Sequence, residues 1–190
     1  MNWKLTLAFI LLLVASGCDK DLEVKQIEKK EYVETLKQNS PSFSYLNDLP
    51  NDKMKSYQLF INDHNISHLQ EFSPEQIVLI YLHSISEGLD DDLYLLTYNG
   101  GSLPDPEVYK TEYDKYLSQR DKDMVFKYRN FDTIEKVEAN EKADEKAVVI
   151  KVRFGIFSDG TVFPLKREEG IWKMDAYYIL KYFKSKENKL

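Results

Sequence analysis

The chain has one cysteine in 190 residues, Cys18, and three histidines, His64, His68 and His83. A lone thiol makes no internal disulfide, so packing alone must hold the fold. It also leaves no Cys/His pair for nucleophilic catalysis. Glycine is sparse, at seven residues, and no glycine-rich phosphate loop or nucleophile elbow occurs. The longest apolar run, Leu5 to Val14, has Thr6 as its only polar residue. It is shorter than the roughly 20 residues that a membrane-spanning helix needs. Positive charge is in deficit, with 26 Lys and Arg against 32 Asp and Glu, a net charge of −6. That sign repels nucleic acid and anionic lipid. The expectation is no nucleic-acid partner, and attachment through lipid rather than a basic patch.

What is present begins at the N-terminus. Lys4 is a short basic region, Leu5 to Val14 an apolar core, and Ala15-Ser16-Gly17 a run of small residues before Cys18. This is the three-part secretory pattern, with residues 1–17 as signal peptide. Small residues followed by cysteine resemble the bacterial lipobox. The resemblance implies cleavage before Cys18, diacylglycerol on its sulfur and an acyl chain on its new amino group. Lipoboxes more often carry Leu where Ala15 stands, and Ala15-Ser16-Gly17 also fits the small-x-small rule of ordinary secretion. Plain cleavage therefore stands as the alternative. Removing residues 1–17 takes away Lys4 alone among charged residues and moves the net charge from −6 to −7. Each buried CH₂ contributes about 0.8 kcal/mol, so two or three chains on Cys18 make release negligible. The expected address is the extracytoplasmic face of a cell membrane, with membrane lipid as the first partner.

Residues 18–50 read as a charged tether or helix, containing Glu28-Lys29-Lys30-Glu31 and broken by Asn39-Ser40-Pro41. As a flexible coil, about 20 residues reach on the order of 25 Å. Residues 51–183 read as one α+β domain and 184–190 as a charged tail. Met54, Tyr57, Phe60 and Ile61 share one face of a helix over 51–64, and a polar loop leads to Phe72. Ser73-Pro74-Glu75-Gln76 is a capping box with proline at the first helical position. The helix it starts carries Ile77, Ile80, Tyr81, Ser84 and Ile85 on one stripe and stops at Gly88. A short helix is expected from Asp90 through Tyr98, and another from Asp105-Pro106-Glu107 with Val108, Tyr109, Tyr113, Tyr116 and Leu117 at 3–4 spacing.

From Val125 the period changes to two. The expected strands are Val125–Val137, Ala147–Phe157, Thr161–Arg167 and Ile171–Leu180, with turns at Ser158-Asp159-Gly160 and Glu169-Gly170. Helices followed by a four-stranded antiparallel meander make an α+β fold, with the helices covering a curved sheet. Ser73-Pro74-Glu75, Ala147-Val148-Val149-Ile150-Lys151-Val152, Phe163-Pro164-Leu165-Lys166 and Gly170-Ile171-Trp172-Lys173-Met174 carry a resemblance over residues 72–183. It is to the nuclear-transport-factor-2-like (cystatin-like cone) superfamily. The resemblance implies a conical cavity, serving as an isomerase- or dehydratase-type active site in some members and as a ligand pocket or dimer face in others.

The candidate chemistry is thin. His64 and His68 stand four apart, but Asn65-Ile66-Ser67 between them is no HExxH motif and no third ligand is evident, so no metal is expected. His83 falls off the main apolar stripe and reads as an edge residue. Asp90-Asp91-Asp92 lacks the glycine and distal glutamate of an EF-hand. It reads as helix capping by Asp90 with dipole-favoured acids behind it. The Tyr109, Tyr113, Tyr116 stripe reads as core or interface. Asp175 points away from Trp172 and Met174, toward solvent or a rim. No catalytic residue and no cofactor is expected. The expectation is a lipid-anchored module that binds an envelope protein, a small apolar ligand or a second copy. The alternative is an enzyme working inside the cone.

Overall fold

The computed structural model describes residues 43–137 and 143–187. Residues 1–17, Cys18 and the expected tether as far as Ser42 lie outside the described residues. Six α-helices are described: α1 Asn51–Asp63, α2 Pro74–Glu87, α3 Asp90–Leu96, α4 Pro106–Tyr116, α5 Ser118–Lys127 and α6 Tyr177–Glu187. Four strands complete the order: β1 Thr133–Val137, β2 Glu145–Phe154, β3 Phe157–Glu168 and β4 Ile171–Met174, in one antiparallel meander β1-β2-β3-β4. The α+β class is as the sequence implies.

The capping box forms as its spacing predicts. Gln76 N donates to Ser73 Oγ at 3.3 Å, and Ser73 N donates to Gln76 Oε1 at 3.0 Å. Two backbone donors at the α2 N-terminus are thereby satisfied. Gly88 closes the helix in the left-handed region, at φ 70°. The expected inward stripe is buried, and Val78, Leu79 and Leu82 are buried as well. The reason is position: α2 packs on β1, β2 and β4, and also on α3, α5 and a 3-10 turn at Tyr45–Asp48. An all-round apolar helix belongs in the middle of a core. Tyr45, Leu46 and Leu49, within the stretch expected to be tether, are buried, and the Tyr45 hydroxyl donates to Val125 O at 2.7 Å.

On the sheet, Val148, Ile150 and Val152 face the helices with Phe163 and Leu165, at full or nearly full burial. The outer face carries Glu135, Lys151, Arg153 and Val162, all exposed.

Four expectations need correction. The segment expected as strand Val125–Val137 is helical to Lys127, and only its end is β1. The α5 stripe runs Leu117, Asp121, Val125, Tyr128, all buried, and the acid at its second position disguises the helical period. The β2–β3 turn is Gly155-Ile156, because Phe154 pairs with Phe157; Ser158-Asp159-Gly160 lies within β3, opposite Arg153, Val152 and Lys151. Gly155 has φ 63°, the first-position glycine of a two-residue hairpin. Alternation along Ala147–Phe157 puts Phe154 and Ile156 on one face with Val148, Ile150 and Val152, yet both are exposed beyond the end of the packed sheet. Finally, the last strand stops at Met174. Residues 177–187 form α6, which buries Leu180 and packs against α4 through a Lys184–Glu112 ion pair.

The Glu169-Gly170 turn is as expected. Both residues have positive φ, 52° and 83°, which a two-residue hairpin of the primed type requires.

Candidate functional site

The interior between α2 and the sheet is filled by side chains. Ile77, Ile80 and Leu82 of α2 and Ile150, Leu165 and Met174 of the sheet are fully buried in one core with Phe60, Leu69, Leu93 and Leu96. The concavities described are two surface hollows of about 200 Å³ and about 250 Å³, which meet at Gly88 and Asp90. Titratable groups gather in two clusters near them.

The first cluster sits where the C-cap residue of α1 reaches Asp92 of α3. His64 ends α1 in the left-handed region, at φ 54°. That conformation turns its ring so that Nδ1 lies 3.1 Å from Asp92 Oδ1. Asp92 is buried, and burial raises its carboxyl pKa against the opposing pull of His64. Asp90 does not cap α3: the N-cap residue is Leu89, with no side-chain bond, and Asp90 instead pairs with Lys110 at 3.1 Å. Asp92 turns inward rather than serving the helix dipole. His68 belongs elsewhere, with Nε2 2.9 Å from Asp63 Oδ2. The two histidines therefore share no helix and no ligand. His83 is half-buried edge-on to the Tyr57 ring at 5.9 Å, with Nδ1 buried and without a hydrogen-bond partner. Burial lowers the His83 pKa. Burial and the acids Asp92 and Glu87 push the Tyr57 hydroxyl up to about 12.

A histidine held at Nδ1 by a buried carboxylate has the orientation of an acid–base imidazole. The residues lining that hollow are His64, Gly88 to Asp92 and Lys110. None supplies a hydroxyl or thiol nucleophile.

The second cluster joins α4 and α5. The Tyr113 hydroxyl donates to Asp121 Oδ2 at 3.2 Å, and Arg120 Nη1 donates to Asp121 Oδ1 at 3.3 Å. The Tyr109 hydroxyl lies 3.0 Å from Thr97 Oγ1, which itself donates to Leu93 O at 2.7 Å. Tyr109 and Tyr113 stack with centroids 6.1 Å apart. Burial raises the Asp121 carboxyl, and burial pushes Tyr109 up to about 12. Tyr81 and Tyr113 are raised further, first by burial and then by neighbouring groups, Asp121 among them. The tyrosine stripe read from the sequence is thus core for Tyr109 and Tyr113. Tyr116 is half-buried and bonds to Glu187. Asp175 is half-buried and pairs with Lys166 at 2.8 Å.

The pairing of Asp121 with Tyr113 was not legible in the sequence. The only signal was an acid at the i+4 position of an apolar stripe starting at Leu117. Cys18, the expected lipidation site, lies outside the described residues. Among the described residues, no group of three or more His, Cys, Asp or Glu is placed to hold a metal ion. Compared with known proteins, the chain matches no family and no curated protein by sequence.

Proposed function

We propose that the chain is a lipid-anchored extracytoplasmic protein, held at the cell membrane through Cys18, with one nuclear-transport-factor-2-like domain that works by binding rather than by catalysis. The observation that carries the binding reading is the filled interior. A pocket for a small organic molecule usually measures about 300–1,000 Å³ and buries most of its ligand. The hollows here are smaller, about 200 and 250 Å³, and lie at the surface. A central helix laid across a four-stranded meander supports the cone-like family reading. Among the described residues, no helix is long and apolar enough to cross a membrane. Attachment then falls to the N-terminal segment with its lone cysteine. The partner in this reading is an envelope protein or a second copy, received on the uncovered outer face of the sheet around Val162. The net charge of −6 argues against nucleic acid.

The test is crosslinking in intact membranes, followed by recovery of the chain and of a Cys18→Ala variant. The anchored chain is expected in the membrane fraction with a crosslinked protein, and the variant in the soluble fraction. An uncrosslinked chain in both strains would remove the binding reading. A variant that stays in the membrane would remove the anchor.

The Asp92–His64 pair favours a second reading, an acid–base enzyme of the isomerase or dehydratase type working at the 200 Å³ hollow. In that case Asp92→Asn would abolish turnover while leaving the fold intact.

A further inference from the structure

The three most exposed large apolar side chains in the described residues, Ile156, Phe126 and Phe157, gather at one end of the molecule with Phe154. Phe154, Ile156 and Phe157 on the β2–β3 turn are 52%, 93% and 72% exposed, and Phe126 at the end of α5 is 78% exposed. Phe154 and Phe157 are a cross-strand pair, so they stand on the same face of the hairpin. Lys127, next to Phe126, pairs with Asp159, two residues beyond Phe157, and this ties the α5 end to the hairpin. Scattered single apolar residues on a surface need no explanation, but a cluster at a projecting tip does.

Two further observations say what the tip meets. The first is where the chain enters the domain. Phe43 lies under the Arg129 guanidinium at 5.7 Å, and its neighbour Tyr45 stacks on Phe131 at 6.2 Å. Arg129 and Phe131 belong to the α5–β1 connection, and there Asp132 N donates to Lys151 O at 2.8 Å on the β2 arm of the same hairpin. The segment leading back to Cys18 therefore joins the domain at the end that carries the tip. The second observation is charge. At this end Lys127 pairs with Asp159 and Lys151 with Glu135, leaving Arg129 and Arg153 against Asp132 among the described residues. These seven groups, four basic and three acidic, sum to +1 on a chain of net charge −6.

We propose that the Phe154–Phe157 hairpin tip, with Phe126, inserts into the outer leaflet of the anionic bilayer and seats the domain on the membrane. This rests on the lipid-anchor reading and deepens it: the lipid on Cys18 keeps the chain at the bilayer, and the tip sets which end of the domain faces it. A projecting tip suits a fluid apolar layer because the layer needs no pocket of matching shape. Aromatic and aliphatic side chains enter the acyl boundary while Arg129 and Arg153 meet lipid phosphates.

The test uses tryptophan as a depth probe in the full chain recovered from membranes. The chain is reconstituted into phosphatidylglycerol–phosphatidylethanolamine vesicles with brominated acyl chains. Ile156→Trp places the probe at the tip. Ser102→Trp places it on an exposed loop between α3 and α4, and unmodified chain, with or without Cys18→Ala, gives the background of its own tryptophans, Trp172 and, where the N-terminal segment is retained, Trp3. The added emission of Ile156→Trp is expected to be quenched and blue-shifted, and that of Ser102→Trp to be unchanged. In a Cys18→Ala background, Phe154→Ser, Ile156→Ser and Phe157→Ser together are expected to weaken vesicle binding on the order of a hundredfold. Chain that floats with the vesicles while the tip probe stays unquenched would overturn the tip and leave the anchor standing. Quenching of the tip probe that persists in the Cys18→Ala chain would support the tip even if the anchor failed. A blue shift of the tip probe that grows with protein concentration and ignores lipid would overturn the proposal in favour of a second copy. Quenching in neither background would overturn it outright.

Discussion

Replacing Asp121 tests whether the buried polar cluster holds the fold together or is kept for chemistry. Asp121 is buried, accepts from the Tyr113 hydroxyl at 3.2 Å and receives Arg120 at 3.3 Å. Asp121→Ala leaves the Tyr113 hydroxyl unpaired in the interior, which costs about 1–3 kcal/mol. Asp121→Asn keeps an acceptor of the same shape and removes the penalty of burying a charge, so its net cost at pH 7 is within about 1 kcal/mol of zero. The two variants also differ in pH dependence. The folded-state pKa of Asp121 is raised, so between the ordinary carboxylate range and that raised value the folded state binds more protons than the unfolded chain. Its contribution is therefore fully present at low pH and is lost as pH rises through the folded pKa. Asp121→Asn abolishes that loss, so its stability relative to the parent should rise from acid to neutral pH. Urea unfolding followed by Trp172, which is buried, measures this directly at several pH values. A pH profile for Asp121→Asn parallel to the parent's would refute the reasoning, as would an Asp121→Ala variant as stable as Asp121→Asn.

Other consequences follow from single residues. Leu180→Ala should cost about 2–5 kcal/mol because Leu180 is fully buried, while Tyr178→Ala on the exposed side of α6 should stay within about 0.5 kcal/mol; equal effects in urea unfolding would mean that α6 does not dock. Ser73→Ala removes one half of the capping box and should lower stability by about 1 kcal/mol, a loss that Ser73→Asp should largely avoid. Glu169→Gly relieves a side chain held at φ 52° and should raise stability by roughly 0.5–1 kcal/mol, read as a higher urea midpoint at constant slope.

The sequence carried the α2 boundaries because a capping box and a terminal glycine are local devices, complete within a few residues. It carried the Glu169-Gly170 turn for the same reason. It misplaced the β2–β3 turn because Ile156 looks like a strand residue, and only the packing limit of the sheet shows that the chain turns there. It hid α5 because Asp121 occupies a core position, which only its pairing with Tyr113 and Arg120 explains. It hid α6 because Asp175-Ala176 contains no glycine or proline to mark the change from strand to helix. In the candidate site the individual residues were visible, and their partners were not. His64 meets Asp92 from 28 positions away, and His68 turns to Asp63 instead. The first contact depends on where the end of α1 falls beside α3, which no local spacing encodes, and the second on the left-handed turn at His64, which no residue type there announces.

The central claim is that Cys18 carries the attachment. The most direct measurement is the mass of the N-terminal peptide of the chain recovered from the membrane fraction of a bacterial host. The account predicts a peptide beginning at Cys18 with diacylglycerol on its sulfur. A peptide beginning at an unmodified Cys18, or one still carrying Lys4 and the apolar run, would contradict it.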